Sequence, residues 1–462
     1  MTDIYSVMNI AGKALMNQQK AINVTGNNIA NVNTPGYSRQ KLIVETSTPL
    51  QSGIGPMGDG AEAVRIERVY DRFLGVQINT ESEALGQWEA QKDTLGFIEA
   101  IFDEGDDFGL NRSLNEFWTA WQDLTNNPSG YNQRVIVQAK SEILVDTFHS
   151  MSSDLQNASQ GIDANIEGAI EEINRLNREI ADLNQKIVDT ESAGYRANEY
   201  RDKRDLALKE LSKMIDVNAF EDASGRLSVS VANGRALLEG DTDWSLSTQM
   251  NTSGTLDVLW VDSAGNSVDI TSDISGGKMK GWLEVRDVDI ANYSGKLDDL
   301  VQTLANEVNT LHSNGFGLDG SNGLDFFSGA SAADIQIDSA IVNDLNLIAA
   351  ASTSTGVPGD NTNAIRIANL QHALTMNGNA STFDSYYQSL VSEVGRNVQT
   401  TESSYHHQSD MVAQLENQRQ SISGVSLDEE MMNLVKFQHA YDSAAKLIAT
   451  ADEMMQTVLN MI

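Results

Sequence analysis

The sequence predicts a mainly α-helical chain (α+β): an elongated helical bundle and coiled coil built from both chain ends, with an inserted β-rich domain. Three observations predict it. Apolar residues recur at heptad spacing at both ends of the chain, similar seams run through its middle, and one stretch between them alternates and turns instead.

At the N-terminus, Ile4, Met8, Ala11, Leu15, Gln18, Ile22, Thr25 and Ile29 follow each other at steps of four and three. That spacing lays one face along a helix, with only Gln18 and Thr25 polar in the seam. Asn33-Thr34-Pro35-Gly36 ends it, because Pro35 cannot continue the backbone ladder and Gly36 suits a tight turn. Gly36 to Tyr70 is β- and turn-rich and should connect this helix to the bundle.

Segments 85–125, 132–160 and 361–423 read as mostly helical. Ile166, Ala169, Ile173, Leu176, Ile180, Leu183 and Ile187 form another seam, followed by a charged helix-favouring stretch from Glu199 to Met214. Leu297, Val301, Leu304, Val308 and Leu311 repeat the pattern. Central helices lying side by side would make an elongated bundle. From about 217 to 285 the character changes, as in Leu227-Ser228-Val229-Ser230-Val231 before Asn233-Gly234, a pair favoured by type I′ hairpin turns. Thr255–Val261 and Val268–Ile270 flank a second hairpin candidate at Ser263-Ala264-Gly265-Asn266.

At the C-terminus, Ser426-Leu427-Asp428-Glu429 has the capping-box form. Leu434, Phe437, Tyr441, Ala444, Ile448, Ala451, Met455, Val458 and Ile462 then keep the heptad step without a polar interruption. At 1.5 Å per residue this is a rod of roughly 43 Å.

Composition excludes several chemistries. The chain of 462 residues is long enough for about two to four domains. It holds no cysteine, which removes disulfides, thiolate metal sites and a cysteine nucleophile. A net charge of −34, from 31 basic and 65 acidic residues, argues against nucleic-acid binding, which needs clustered Lys and Arg. No window approaches the ~20 apolar residues of a membrane span, so none is expected. Met1-Thr2-Asp3-Ile4-Tyr5 lacks a basic leader before an apolar stretch, so a cleaved signal peptide is not expected either.

Isolated motifs read more simply as structure. Gly53-Ile54-Gly55-Pro56-Met57-Gly58 has dinucleotide-loop spacing, but Pro56 removes an amide donor and Ala63-Val64-Arg65-Ile66 reads as strand rather than the required helix. Asp103-Glu104-Gly105-Asp106-Asp107 lacks the twelve-residue spacing of a calcium loop. His406 and His407 point to different sides of a helix, and His149, His312, His372 and His439 are scattered without a zinc motif. Trp118 and Trp121 sit three apart on one helical face, as core anchors do.

Ala30-Asn31-Val32-Asn33-Thr34-Pro35-Gly36-Tyr37 resembles the N-terminal signature of the flagellar axial proteins, the family of rod, hook and hook-associated components. The continuation Ser38-Arg39-Gln40 looks most like a hook-associated member. The run Ser426 through Gln438 with Ala440-Tyr441, and Ala451-Asp452-Glu453-Met454-Met455, are similar to the terminal helix of such members. Tyr200-Arg201-Asp202-Lys203-Arg204-Asp205 and Pro128 through Arg134 resemble their internal stretches.

The resemblance implies a non-enzymatic structural component of the bacterial flagellum, an adaptor polymerising at the hook–filament junction and exported without a cleaved signal. It implies no cofactor. Implied partners are copies of the chain in a ring or helical array, the flagellar hook protein, hook-associated protein 3, a cytoplasmic export chaperone and the flagellar type III export apparatus. The alternatives are another axial protein of hook or rod, or a cell-wall-cleaving assembly enzyme.

The expected organisation pairs 1–35 with 425–462 as an inner domain. A connector at 36–84, a helical middle at 85–216 plus 286–424, and an outer β-rich insert at 217–285 complete it. The candidate assembly residues are Ile4, Met8, Ala11, Leu15, Ile22, Ile29, Leu434, Phe437, Tyr441, Ile448, Met455, Val458 and Ile462. The family motif residues are Ala30, Asn31, Asn33, Thr34, Pro35, Gly36 and Tyr37.

Overall fold

The structure, a computed structural model, describes residues 2–52, 55–103 and 109–461. Helices make up 65% of it, with small antiparallel sheets, in line with the expected fold class. Ile462, the end of the C-terminal seam, lies outside the described residues, as do Gly53-Ile54 of the glycine-rich stretch and Glu104–Asp107 of the acidic run.

Helix α1 (Thr2–Ala30) leads through a turn into β1 (Gln40–Thr46). After the small hairpin of β2 (Leu50–Ser52) and β3 (Gly55–Met57), β4 (Ala61–Arg68) returns antiparallel to β1, pairing Gln40 with Arg68 and Thr46 with Ala61. A register shift between Ile43 and Val44 bends this ribbon around α1. Asp71 then caps α2 (Arg72–Phe102), accepting from the amides of Phe73 at 2.9 Å and Leu74 at 3.2 Å.

The middle continues through α3 (Leu110–Asn126), α4 (Tyr131–Ser192) and α5 (Asn198–Met214). At 62 residues α4 is about 93 Å long. It contains no proline, and exposed pairs such as Arg175 with Glu172 and Glu179, and Lys186 with Asp182, support it at helical spacing.

The β region follows in two sheets. Strands β5 (Asn218–Glu221), β6 (Leu227–Val231), β7 (Arg235–Glu239) and β8 (Thr242–Asp243) pair in sequence order. Strand β9 (Ser245–Met250) flanks the hairpin of β10 (Leu256–Val261) and β11 (Ser267–Asp269). Both expected hairpins are there, but the first differs in its turn. Val231 pairs with Arg235, so the loop has three residues, and Ala232, Asn233 and Gly234 all have positive φ.

The insert does not stand apart from the helices. Leu227, Val229, Val231, Leu237, Leu238, Leu246 and Val258 belong to one apolar core with the α4 seam residues Ile166, Ile173 and Ile180. Buried polar groups on α4 then satisfy the strands' loose backbone groups. Asn184 accepts from the Leu227 amide at 3.0 Å and donates to its carbonyl at 2.8 Å. Asn177 donates to the Leu237 and Trp244 carbonyls, and Asn174 exchanges both bonds with Leu246. The α4 seam therefore packs under strands rather than against helices alone, because an asparagine beside an aliphatic stripe supplies what strand backbones need.

The chain returns through α6 (Gly277–Glu284), a π-helical stretch at Val285–Ile290 and α7 (Ala291–Asn314), so residue 285 lies inside a continuous helical run. The π stretch aims buried Arg286 at Asp163 of α4, at 2.6 Å, and at the Leu256 carbonyl. The pair β12 (Phe327–Ser328) and β13 (Gln336–Ile337), with the short α8 (Ser339–Asn343) and α9 (Thr362–Ala368), covers one end of the bundle. Trp118 and Trp121 are buried there, Trp118 stacked on Phe383 and Trp121 edge-on to Phe326. Finally α10 (Phe383–Ser423) packs along α2, and α11 (Leu427–Asn460) packs along α1.

His312, at 1% exposure, lies beneath the same aromatic cluster. Its Nδ1 donates to the Leu324 carbonyl at 2.7 Å and its Nε2 accepts from the Ala349 amide at 3.0 Å, the tautomer that fits both partners. Burial pushes its pKa down to about 4. A depressed histidine pKa means that the unfolded chain takes up the proton first. The native state should therefore lose stability as pH falls from about 6.5 towards 4, by about 3 kcal/mol from this group. Urea unfolding at pH 7 and pH 4.5 checks this: the drop in stability should be clearly smaller in His312→Gln than in the native chain. Equal drops would show that His312 does not titrate in this way.

Candidate assembly site

Four elements converge where α1 ends, and the side chains at that point explain the Ala30–Tyr37 motif. After α1, Asn31 donates through its side chain to the Asn27 carbonyl at 3.0 Å, and the Thr34 hydroxyl donates to Asn31 Oδ1. The Tyr37 amide then closes a turn onto the Thr34 carbonyl at 3.2 Å, with Pro35 and Gly36 at its two central positions. Gly36 has φ +77°, and a Cβ there would lie 3.2 Å from Leu206 Cβ on α5. Glycine is needed both for the backbone angle and for the close approach.

The turn delivers four consecutive residues to partners on four helices, α1, α5, α10 and α11. The Tyr37 hydroxyl donates to Asn28 Oδ1 at 2.9 Å. Burial, with Asp202, Glu199 and Glu430 nearby, pushes this phenol well above its usual range, so it remains a donor. The Ser38 amide donates to Asp202 Oδ2 of α5 at 2.9 Å. The Arg39 amide donates to the Ser423 carbonyl at the end of α10, while its guanidinium pairs with Glu430 at 2.8 Å and Glu429 at 3.0 Å on α11. The Gln40 amide donates back to Asn28 Oδ1.

Asn28 is the hub. At 1% exposure it accepts from Tyr37 and Gln40 and donates to the Gln40 carbonyl and to Glu430 Oε2. Glu430, itself 2% exposed, is the buried anion of the joint and is held by Asn28 and Arg39 together. The expected capping box is not formed: Ser426 occupies the N-cap position without a side-chain bond. Glu429 is drawn away to Arg39, a stronger charged partner than a backbone amide.

Contact between Asn28 and Glu430 sets the direction of the pair. The last turn of α1 meets the first turn of α11, so the two helices run antiparallel. The sequence-derived seam positions are partly or fully covered in the single chain. Ala11, Ala444 and Ala451 are buried; Ile4, Met8, Leu15, Ile22, Ile29, Leu434, Phe437, Tyr441, Ile448, Met455 and Val458 are half-buried.

A second face of α1 was not part of the sequence reading. Asn9 and Lys13 both bind Asp59, and Asn17 donates to the Ala61 carbonyl and accepts from the Ala63 amide. Ala21, Val24 and Asn28 continue this buried face towards the turn. The signal was present in the sequence, since Asn9, Lys13 and Asn17 are polar residues at successive steps of four.

On the middle side, Arg68 of β4 bridges Asp202 at 2.9 Å and Asp205 at 2.7 Å, and lies 4.1 Å from the Tyr70 ring centroid. Burial lowers its proton affinity, but the two carboxylates outweigh it and hold Arg68 charged. Asn198 adds a bond to the Ile66 carbonyl at 2.9 Å. Among the described residues no helix is long and apolar enough to cross a membrane, and no group of three or more metal-ligating side chains is assembled.

Residues 95–327 match the flagellar hook-associated protein FlgK helical domain. Residues 416–461 match the C-terminal region of flagellar basal body rod FlgEFG proteins, and 8–37 match flagella basal body rod proteins. The chain is 30% identical to flagellar hook-associated protein 1 of Bacillus subtilis (strain 168), over 100% of this chain and 99% of the relative. It is 26% identical to the protein of that name from Escherichia coli (strain K12), over 98% and 99%. Its fold is similar to a solved structure of the flagellar hook junction protein FlgK from Burkholderia pseudomallei, with TM-score 0.69 and 14% identity, covering 75% of this chain and 100% of the other.

Proposed function

The chain belongs to the flagellar hook-associated protein FlgK family, and from that premise we propose that its paired ends are the assembly element through which it works. It is a structural component of the bacterial flagellum at the hook–filament junction. In this reading the α1–α11 pair lines the axial tube, the helical middle contacts neighbouring copies, and the β region faces outward. The chain acts by assembly rather than by catalysis.

One observation carries the reading. The helix pair leaves apolar side chains in water even after pairing: Leu447 and Met454 on α11 and Met461 just past its end, seven apart in the chain, are 45%, 55% and 82% exposed. Val7 and Tyr5 are exposed on α1 as well. Each forgoes part of the roughly 1.5–3 kcal/mol that full burial of a large apolar side chain supplies, a cost that neighbouring subunits would remove.

The partners proposed are further copies of the chain, the flagellar hook protein on one side and hook-associated protein 3 on the other. Before assembly the chain passes through the flagellar type III export apparatus. A cytoplasmic chaperone shields α11 until then, since a groove for an amphipathic helix would read the anchors Leu434, Phe437, Tyr441, Ile448 and Met455.

Deleting residues 1–35 or 434–462 should leave a soluble helical middle that cannot join the flagellum, because each seam loses its partner. Motility and electron microscopy of the two deletion strains check this. Normal swimming and normal junctions in either strain would refute the assembly reading.

A further inference from the structure

We propose that Asn377-Gly378 is a site of spontaneous covalent modification, where the Gly378 nitrogen closes on the Asn377 side-chain carbonyl and water then leaves aspartate or isoaspartate in place of asparagine. This goes beyond the assembly reading and does not depend on it.

The chain has four Asn-Gly pairs, beginning at Asn233, Asn314, Asn322 and Asn377. Glycine has no side chain to shield its nitrogen, so the local sequence favours ring closure equally at all four. The fold separates them. Ring closure uses the glycine amide as the nucleophile, and an amide that donates to a carbonyl is held away from that task. The Gly234 amide donates to the Val231 carbonyl at 3.2 Å, the Gly315 amide to the His312 carbonyl at 3.0 Å, and the Gly323 amide to the Ser313 carbonyl at 3.0 Å. The Gly378 amide has no acceptor among the described residues.

The asparagine side chains differ as well. Asn233 donates to Asp273 at 2.9 Å and Asn314 to the Thr310 carbonyl at 2.7 Å, so both are held in place. Asn377 has only a long bond to the Ser381 hydroxyl, at 3.3 Å. Asn322 makes no side-chain bond among the described residues, so the committed Gly323 amide is what sets that pair apart from Asn377.

The turn that carries the fourth pair is also easy to open. Residues 377–380 are all exposed, and below them a single bridge joins Met376 to Ser381. Asn377, Gly378 and Asn379 have φ of +53°, +67° and +69°, three left-handed residues in succession. Asparagine tolerates that region better than most side chains, but two asparagines held there raise the energy of the closed tip. Exposed tips with few contacts open at small cost. Opening frees the Asn377 backbone to rotate and brings the Gly378 nitrogen against Cγ.

Water is the only co-reactant. The Gly378 nitrogen gives its proton to water, the N–Cγ bond forms, the Cγ–Nδ2 bond breaks, and Nδ2 leaves as ammonia. The Ser381 hydroxyl, bonded to that nitrogen, is placed to relay the proton it needs from solvent. A second water opens the succinimide. Attack at Cγ gives aspartate, while attack at the main-chain carbonyl gives isoaspartate, in which the backbone runs through the former side chain. Either product adds a negative charge. Isoaspartate also lengthens the turn that leads to Thr382, whose hydroxyl caps α10 by accepting from the Ser385 amide.

The purified full chain, held at mildly alkaline pH and digested at intervals, reports each pair by the mass rise of acid over amide and by the separate elution of isoaspartyl peptides. In the native chain Asn377 should convert several-fold faster than Asn233, Asn314 and Asn322. In concentrated urea, where no amide is committed, the four should convert at similar rates. Asn377→Gln, whose ring closure is slower, should remove most of the isoaspartate formed by the native chain. Equal rates in the native chain, or a faster pair among the other three, would overturn the proposal. Isoaspartate undiminished in Asn377→Gln would do so as well. An unchanged ranking in urea would also overturn it, since the local sequence rather than the fold would then select the site.

Discussion

Replacing Ile448 and Met455 together with aspartate should separate α11 from α1. Both side chains lie in the apolar seam read from the sequence and are half-buried in the single chain. Losing two large apolar contacts and placing charge between the helices should cost the pair on the order of 3 kcal/mol before any neighbour is counted. The loss should grow in the assembled state, where the remaining exposed part of each seam residue would be covered. Lys446→Ala, an exposed position off the seam, should change stability by no more than a few tenths of a kcal/mol. Hydrogen exchange on the isolated chain checks the first effect: amides of α1 and α11 should lose protection together in the double variant, while those of α4 keep theirs. Protection retained in both terminal helices would show that the seam does not hold them.

The second large effect is expected at Asn28. Asn28→Ala leaves the Tyr37 hydroxyl and the Gln40 amide and carbonyl without their partner, and removes one of the two groups that hold buried Glu430. Stranding buried polar groups costs roughly 1–3 kcal/mol each, and partial relaxation leaves a total of about 3–5 kcal/mol. Asn28→Asp separates shape from charge. It keeps both acceptor bonds but sets a second carboxylate against Glu430, so near neutral pH it should be at least as damaging as alanine. On acidification, where the two facing carboxyls come to share a proton, it should recover. Urea unfolding of the three chains at pH 7 and pH 3.5 reads both effects. Asn28→Asp as stable as the native chain at pH 7 would remove Asn28 from its place as hub.

The helical bulk of the fold was legible because heptad spacing is a local signal. The seams at Ile4–Ile29, Ile166–Ile187, Leu297–Leu311 and Leu434–Val458 all lie on long helices. The two strand pairs at Leu227 and Leu256 were legible for the same reason, alternation being local too. What lay beyond the sequence was which face meets which. Asn174, Asn177 and Asn184 carry no signal of a partner in the sequence, yet they are what ties the strands to α4.

The joint shows the same limit. Thr34-Pro35-Gly36 announces a turn, but the bonds from Asn28 to Glu430 and from Ser38 to Asp202 join residues 402 and 164 positions apart. No spacing rule connects them. The capping-box pattern at Ser426 misled for a related reason, since a distant arginine competes for Glu429 better than the local amide does.

One apolar seam is expected first to pair the two ends and then to seat the subunit in the flagellum. The most direct measurement is the amount of this protein in flagella sheared from cells producing the native chain, Lys446→Ala or Ile448→Asp with Met455→Asp, read by immunoblot against whole-cell levels. The native and Lys446→Ala chains should be recovered equally, and the double aspartate variant should be missing from the sheared flagella. Recovery of the double variant at the native level would contradict the account.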